Sequence, residues 1–413
     1  MKILFISHYF PPETGAATKR IYGLAKHLVE FGHKVDVITG MPNYPNGKIQ
    51  EKYRKKFFYF EEMNGINVYR NFVFVSKKKN TITRLLNYFS LVFSSLSFIF
   101  NRNQYDVVIT SSPPLFLGIS GVILSKIKKA PLVFDVRDIW PGVAAEIGEM
   151  SPNSRVYKVL ESLELFIYRH SNLITVVTDG KKKKLINRGL DESKVELISN
   201  GFDTEFLDYQ IDGSVEHEYK TSNKFNILYA GIIGVAQGID IIIKAAERLI
   251  EHKDIQFLLV GNGVELEKLK LLTQEKGLTN VVFTNEQPHE RIRSFLHFSD
   301  IAVVPLKNTA LKDSIPTKIY EALGAGVPVV LSASGESESV IKRSKGGIIT
   351  LPGDVDALVS AIMKLYSDKD FYKNCSENGQ RYVLSNYSRG SIAKRLESRI
   401  MNLTQNQDER RVN

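Results

Sequence analysis

Asp313-Ser314-Ile315-Pro316-Thr317-Lys318-Ile319-Tyr320-Glu321-Ala322-Leu323-Gly324-Ala325-Gly326-Val327-Pro328-Val329-Val330 reads as a loop, a short helix and a buried strand. Ser314 or Thr317 is placed to cap the helix, and Pro316 sits where the loop enters it. The positive end of the helix dipole then faces the loop, where an anion is the favoured guest. Glu321 follows Lys318 by one turn on the same face. A carboxylate there can accept hydrogen bonds from two neighbouring hydroxyls, as on a ribose, while the Lys318 ammonium meets phosphate.

Outward from this stretch the chain alternates short apolar runs with helical periodicity. On the C-terminal side of the chain, strands are predicted at Phe225–Ala230, Ile255–Val260, Val281–Thr284, Ile301–Pro305, Val327–Leu331 and Gly347–Thr350. Helices are predicted at Ile239–His252, Val264–Lys276, Glu290–Phe298 and Val355–Tyr366. An earlier set of strands reads at Lys2–Ser7, Lys34–Thr39, Val68–Phe72, Asp106–Thr110, Leu132–Asp135, Leu173–Val177 and Val195–Ile198, with a helix at Ser154–His170. Residues Asp208–Lys224 are polar and aperiodic and read as a linker. The expected fold class is α/β: two Rossmann-like, doubly wound parallel-sheet domains facing a cleft, with ligands beyond the carboxyl ends of the strands. Boundaries are expected at 1–205 and 206–385, with a last helix around Ser388–Leu403 crossing back within 386–413.

A chain of 413 residues exceeds one ordinary core, in line with two domains. The net charge of +10 favours acidic partners such as nucleoside diphosphates, anionic lipid or nucleic acid. The basic residues are scattered rather than clustered with aromatics, which argues against nucleic acid. Cys375 is the sole cysteine, so no internal disulfide and no cysteine-based metal site can form, as suits a reducing cytosol. Ile3-Leu4-Phe5-Ile6 is too short for a signal-peptide core. Asp354-Val355-Asp356 resembles a metal-binding Asp-x-Asp, yet it follows Pro352-Gly353 and opens a helix, so capping is the better reading. The eight histidines include no i, i+4 pair, and no metal site is expected.

Leu85–Phe100 is sixteen residues without a charge, flanked by Lys77–Lys79, Arg84 and Arg102. As a helix it carries a small-polar stripe at Asn87, Ser90, Ser94, Ser97 and Asn101. One reading is a core helix; the other is a helix lying in the membrane interface beside cationic anchors, too short to span.

The loops following the strands carry the remaining chemistry. Gly15 lies between the first strand and first helix, where glycine lets a phosphate approach the backbone. Gly231-Ile-Ile-Gly234-Val-Ala-Gln237-Gly238 follows the first strand of the second domain, and Gly261-Asn262-Gly263 follows the next. With the Asp313 segment these loops, in this order, resemble glycosyltransferase family 4 over Met1 to about Ser391.

The resemblance implies the two-Rossmann GT-B fold and retaining transfer from a nucleotide sugar without an essential metal or other cofactor. It places Gly15, Gly234, Gln237, Gly261, Gln287 and Glu321 against the donor. It makes Asp313, Asp138 and Lys318 the catalytic candidates, with Lys318 and the glycine-loop amides neutralising the leaving diphosphate. In the family both acidic positions are usually Glu; here the first is Asp313. The usual Arg and Lys of the Gly231 turn are replaced by Val235 or Ala236 and Gln237, which shifts weight to Lys318, Lys307 and Lys312. Phe134-Asp135-Val136-Arg137-Asp138 has Arg137 where relatives carry a sugar-contacting His, so Arg137 stands only as a sugar or acceptor contact, or as a partner of Asp138. Asn200-Gly201-Phe202-Asp203 resembles the family's Asn-Gly-Val-Asp, and makes Asn200 a second such contact. The Gln-Gly version of the turn resembles a subgroup acting in bacterial surface-polysaccharide assembly: O-antigen, capsule or exopolysaccharide. That subgroup implies a UDP-sugar donor, a polyprenyl-diphosphate-linked acceptor, and a cytoplasmic enzyme peripheral on the inner membrane. A nucleotide-sugar 2-epimerase of the same fold is the alternative; it would need extra acid/base carboxylates and His, and no acceptor.

Overall fold

The computed structural model describes the chain except residues 14, 45–46, 77, 79, 220–223, 308–312, 314 and 413, and the side chains of 406–412. It divides into two compact units: Met1–Asn200 with Arg389–Asn413, and Gly201–Ser388.

The first unit is built on an eight-stranded sheet. Its strands are β1 (Lys2–Ile6), β2 (Lys34–Gly40), β3 (Phe58–Met63), β4 (Ile66–Asn71), β5 (Val107–Ser112), β6 (Leu132–Val136), β7 (Leu173–Val176) and β8 (Val195–Leu197). They are ordered β3-β4-β2-β1-β5-β6-β7-β8, and all pair in parallel except β3, which runs antiparallel to β4 at the edge. β1 shows why the centre is continuously apolar. Ile3 and Phe5 enter the core on one face, Leu4 and Ile6 the core on the other, and helices cover both. The chain's last helix, Arg389–Val412, returns to this unit, where Ile392, Leu396 and Ile400 pack with Leu24 and Leu28.

The second unit carries β9 (Phe225–Ala230), β10 (Ile255–Val260), β11 (Val281–Asn285), β12 (Ile301–Pro305), β13 (Val329–Ser332) and β14 (Gly347–Thr350), all parallel, ordered β11-β10-β9-β12-β13-β14. The same two-sided logic applies: Leu258 and Val260 face one core, Phe257 and Leu259 the other. In each sheet the strand order reverses beside the first strand, next to β1 and next to β9. The carboxyl ends of β1 and β5 in the first sheet, and of β9 and β12 in the second, therefore each flank the position where a sheet of this kind takes ligands.

Three expectations need correction. Asp208–Lys224 is not a bare linker: it contains the helix Gly213–Tyr219, anchored by buried Val215 and by Asp212, which accepts from Arg291 Nε at 3.1 Å. Polar surface residues hid a helix with one buried face. β3 was not foreseen as a strand, because its exposed positions are phenylalanines. The helix after the Asp313 loop is Thr317–Gly324, and its N-cap is Pro316, with no cap from a side chain among the described residues. Thr317 is already inside the first turn, and Ser314 lies outside the described residues.

Candidate active site

In the second unit, the loops after β9 and β10 are laced backbone to backbone. Gly231 N–H donates to Val260 O at 2.9 Å, Ile233 N–H to Asn262 O at 2.8 Å, and Glu265 N–H to Ile233 O at 3.1 Å. A Cβ on Gly261 would lie 1.8 Å from Gly231 O, and one on Gly263 2.2 Å from Ile233 O, both at positive φ. Glycine alone fits, and the two loops present bare backbone. Gly234 is different: its φ is ordinary and a Cβ would meet only Ile232 at 3.5 Å, so nothing local demands a glycine there. Gln237 ends a 3-10 turn, Val235–Gln237, whose N–H donates back to Gly234 O at 3.0 Å. Lys307 is tied to this turn by its own N–H, donated to Ala236 O at 3.0 Å. Lys312 lies outside the described residues, and Asp313 sits half-buried in the turn beyond them.

Lys318 is the electrostatic focus. Its ammonium lies 4.2 Å from the centre of the Tyr229 ring, and its buried Nζ has no hydrogen-bond partner among the described residues. A Cβ on Gly231 would stand 2.6 Å from that Nζ, so the glycine keeps the ammonium's place open. Burial pulls the Lys318 pKa down to about 8, against the opposing pull of the Glu321 carboxylate. Glu321 and Lys318 line one small cavity with Ala230 and Val304. Glu321 Oε1 is 3.2 Å from His289 Nε2, and the His289 ring lies against Phe206 with centroids 5.0 Å apart. His289 was not singled out beforehand; the signal available was its place in Glu286-Gln287-Pro288-His289 after β11. Gln287 spends its side chain internally, donating to Thr284 O at 2.9 Å and accepting from Arg291 at 2.8 Å. That leaves it backbone groups for a ligand. A cation lacking an acceptor, an uncapped helix start and bare glycine loops together suit a phosphate group, and Glu321 with His289 suits hydroxyls.

In the first unit, Gly15 is the N-cap of the helix Ala16–Glu30 at φ +136°, with nothing within 4 Å of where a Cβ would be. Buried Glu13 holds the preceding loop by accepting from the N–H groups of Asn43 and Tyr44, both at 2.9 Å. Burial raises its pKa. Beneath the strand ends lies a network that sequence reading missed. Arg20 donates to both oxygens of Asp135, at 2.7 and 3.2 Å, and to Ser199 O at 2.7 Å. Asp135 also accepts from Thr175 at 2.8 Å and Ser111 at 3.1 Å. Although burial opposes ionisation, the Arg20 guanidinium holds the Asp135 carboxyl below its ordinary pKa. This cluster ties β5, β6, β7 and the segment after β8 together just before Arg137, Asp138 and Asn200.

The alternative Arg137–Asp138 pair is not what forms. Asp138 lies 3.5 Å from Lys181 Nζ. Arg137 donates its backbone N–H to Ser112 O at 3.1 Å, and its half-buried guanidinium makes no ion pair among the described residues. Burial lowers its pKa. Asn200 O accepts from the Arg389 guanidinium. Asp354 caps the helix Val355–Ser367 through Ala357 N–H at 2.9 Å, and exposed Asp356 faces Arg248 at 3.8 Å. No group of three or more metal-ligating side chains occurs among the described residues.

Comparison with known proteins agrees with this division. A family model described as Glycosyltransferase Family 4 matches residues 17–206, and one described as Glycosyl transferases group 1 matches residues 214–382. The chain is 26% identical over 373 residues to the putative colanic acid biosynthesis glycosyl transferase WcaI of Escherichia coli K12, covering 88% of this chain and 91% of that one. It is 23% identical over 384 residues to the 2-deoxystreptamine N-acetyl-D-glucosaminyltransferase of Niallia circulans, covering 90% and 94%. Among solved structures, HepE of Anabaena in complex with UDP superposes with a TM-score of 0.71 at 18% identity, covering 97% and 100%. That likeness establishes the GT-B fold.

Proposed function

The chain belongs to the family 4 glycosyltransferases, nucleotide-sugar-dependent transferases with two parallel-sheet domains, and on that premise we propose its reaction: retaining transfer of a hexose, deoxy or N-acetylamino sugar from UDP to a polyprenyl-diphosphate-linked saccharide. The product is a growing bacterial surface polysaccharide. The observation that carries the donor half is the buried Lys318 ammonium, without a hydrogen-bond partner among the described residues, beside the Gly231 turn and three residues before Glu321. It suits the β-phosphate of a nucleoside diphosphate, with Glu321 on the ribose, Asp313 on the sugar hydroxyls, and Gly261 and Gln237 supplying neutral contacts. Charge developing on the leaving diphosphate is then met by Lys318 and the uncapped Thr317–Gly324 helix, with no metal required. UDP is placed first because HepE is a UDP complex, and polysaccharide assembly because WcaI is named for it. Asp138, Arg137 and Asn200 are assigned to the acceptor side.

The acceptor's lipid is supported by the Thr81–Ser95 helix and the 3-10 turn Leu96–Phe100 that continues it. The segment is twenty residues in all, long and apolar enough by composition to cross a membrane. Its polar stripe, however, is bonded to the unit. Asn87 donates to Phe74 O, and Ser94 to Phe72 O, both at 2.7 Å, while Ser90 accepts from Phe74 N–H. Ile82, Leu86 and Phe93 face outward. The segment buries Leu91, Val92 and Phe98 beside its polar stripe and leaves a second apolar edge at Ile82, Leu86 and Phe93 outward, which suits lying in the inner leaflet of the cytoplasmic membrane.

The test is nucleotide release from UDP-, GDP- and TDP-sugars, with and without a polyprenyl-diphosphate saccharide, in EDTA. UDP release that needs the acceptor and survives EDTA is the expected result. Complete loss in EDTA restored by manganese would overturn the metal-free mechanism. Interconversion of the sugar without acceptor would make the protein an epimerase.

A further inference from the structure

The outward apolar surface of the first unit does not end with the Thr81–Phe100 segment. β3 is an edge strand, and on such a strand the water-facing positions are ordinarily polar or charged. Here Phe58 is 54% exposed and Phe60 55%, while Tyr59, Glu61 and Met63 turn inward. Phe57, just before the strand, is 60% exposed. These rings are joined to the helix by a chain of contacts. Phe57 stacks on Phe72 with centroids 4.9 Å apart and planes 4° from parallel. Phe72 O accepts from Ser94, and Phe74 is bonded through its backbone to Asn87 and Ser90. On the same sheet face Phe60 meets Tyr69 at 5.2 Å, and Tyr69 meets Phe98 at 4.9 Å. Through Phe72, Tyr69 and Phe98 the hairpin is thus packed on the helix segment, and both elements carry outward rings: Phe57, Phe58 and Phe60 on one, and Phe93 and Phe100, 69% and 86% exposed, on the other.

Cations border these rings. Lys52, Arg54, Lys55 and Lys56 are exposed in the segment leading into β3, as are Lys78, Arg84 and Arg102 around the helix. Lys56 Nζ lies 4.0 Å over the ring of Tyr59, on the side of β3 opposite Phe58 and Phe60, so this lysine sits at the strand's edge. Glu61 is engaged by Lys52 at 2.7 Å and Arg70 at 2.5 Å, and Glu51 and Glu62 are the exposed acids of this segment, against the four exposed cations Lys52, Arg54, Lys55 and Lys56.

We propose that the β3–β4 hairpin is a second lipid-contacting element, which enters the headgroup layer of an anionic bilayer together with the helix and fixes how the domain lies on it. Aromatic side chains rimmed by lysine and arginine match the polar–apolar boundary of such a leaflet. A second copy of the chain is the weaker occupant, since a two-fold interface would set these cations against themselves. The proposal rests on the membrane placement proposed above for Leu85–Phe100, and the test separates the two.

Three proteins are compared by co-sedimentation with phosphatidylglycerol-containing vesicles: wild type, the hairpin variant Phe57→Ser/Phe58→Ser/Phe60→Ser, and the helix variant Leu86→Ser/Phe93→Ser. Thermal unfolding and UDP binding serve as controls on folding. The expected result is that wild type binds and each variant loses about tenfold or more in partitioning, with unfolding unchanged. Loss in the helix variant alone overturns the hairpin proposal and leaves the earlier reading standing; a wild type that does not bind overturns both. Because Cys375 is buried, Phe58→Cys can be labelled selectively with an environment-sensitive dye. Its emission should shift to the blue on anionic vesicles and not on phosphatidylcholine alone. An unshifted dye on bound protein, or a wild-type dimer that the hairpin variant makes monomeric, would likewise overturn the proposal.

Discussion

Lys318 holds its charge in surroundings that oppose it. Its pKa is about 8 in the folded chain against 10.5 for the free side chain, with burial the larger cause. A depressed folded pKa gives stability that is present above the unfolded value and is lost as pH falls through the folded one. The folded protein therefore carries this penalty in full below about pH 8, and the proposed donor diphosphate would relieve it. Binding an anion there raises the lysine pKa, so UDP should bind with proton uptake in the window just above 8. Calorimetry at about pH 8.5 in two buffers of different protonation enthalpy reads this directly. Lys318→Met should abolish the uptake and weaken binding; equal heats in both buffers for the wild type would refute the assignment. Glu321→Ala acts on the same pair. It removes the acceptor proposed for the ribose hydroxyls, with an expected cost of about 1.5–3 kcal/mol of donor binding. It also removes the carboxylate that supports the Lys318 charge, and strands His289. Unchanged UDP affinity and turnover in that variant would sink the role given to Glu321.

At the scale of elements, the site depends on two glycine loops held closer than any side chain allows. Gly261→Ala should therefore do more damage than its size implies. Its Cβ would have to lie 1.8 Å from Gly231 O at φ +149°, so the β9 and β10 loops must part. Strain and overpacking of this kind cost about 1–3 kcal/mol each. A lower unfolding temperature with lost UDP binding is expected, and Gly234→Ala, where space and φ are ordinary, is the tolerant control. An unaffected Gly261→Ala would show that the loops do not need their close approach. These loops were legible in the sequence because several glycine turns follow buried strands in a fixed order and spacing, each weak by itself, and the parallel strands because apolar runs mark both faces at once. Asp354 was legible as a cap from Pro352-Gly353 before it. What stayed hidden depended on partners remote in sequence or on reversed polarity. Arg20 and Asp135 stand 115 positions apart, and nothing local marks either as half of a buried pair. Phe58 and Phe60 face outward, so β3 shows the wrong side of the usual alternation. Gly213–Tyr219 hid because one buried valine is too little periodicity to read. Pro316 gave a true boundary but a misleading cap, since a loop can enter a helix on proline's fixed φ with no side chain closing it.

At the scale of the molecule, the chain order and the units disagree, which makes a test possible. The second unit is one uninterrupted segment, Gly201–Ser388, with its own cores and with Lys318, Glu321, His289 and the glycine loops all inside it. The first unit is completed only by the last helix. Ile392, Leu396 and Ile400 are buried in its core, and Glu397 Oε1 lies 2.8 Å from His33 Nε2. Burying each of those aliphatic side chains contributes about 1.5–3 kcal/mol, against a typical domain stability of about 5–15 kcal/mol. Ending the chain at Ser388 should therefore unfold or severely destabilise the first unit while sparing the second. In the truncated protein, the calorimetric transition belonging to residues 1–200 should fall or vanish, and the other should still move up with added UDP. The isolated segment Gly201–Ser388 should likewise fold cooperatively and bind UDP within a few-fold of the full chain. If it folds yet binds no UDP while the full chain does, the nucleotide needs groups from the first unit, and placing the donor's diphosphate and ribose wholly on Lys318, Glu321 and their glycine loops is wrong.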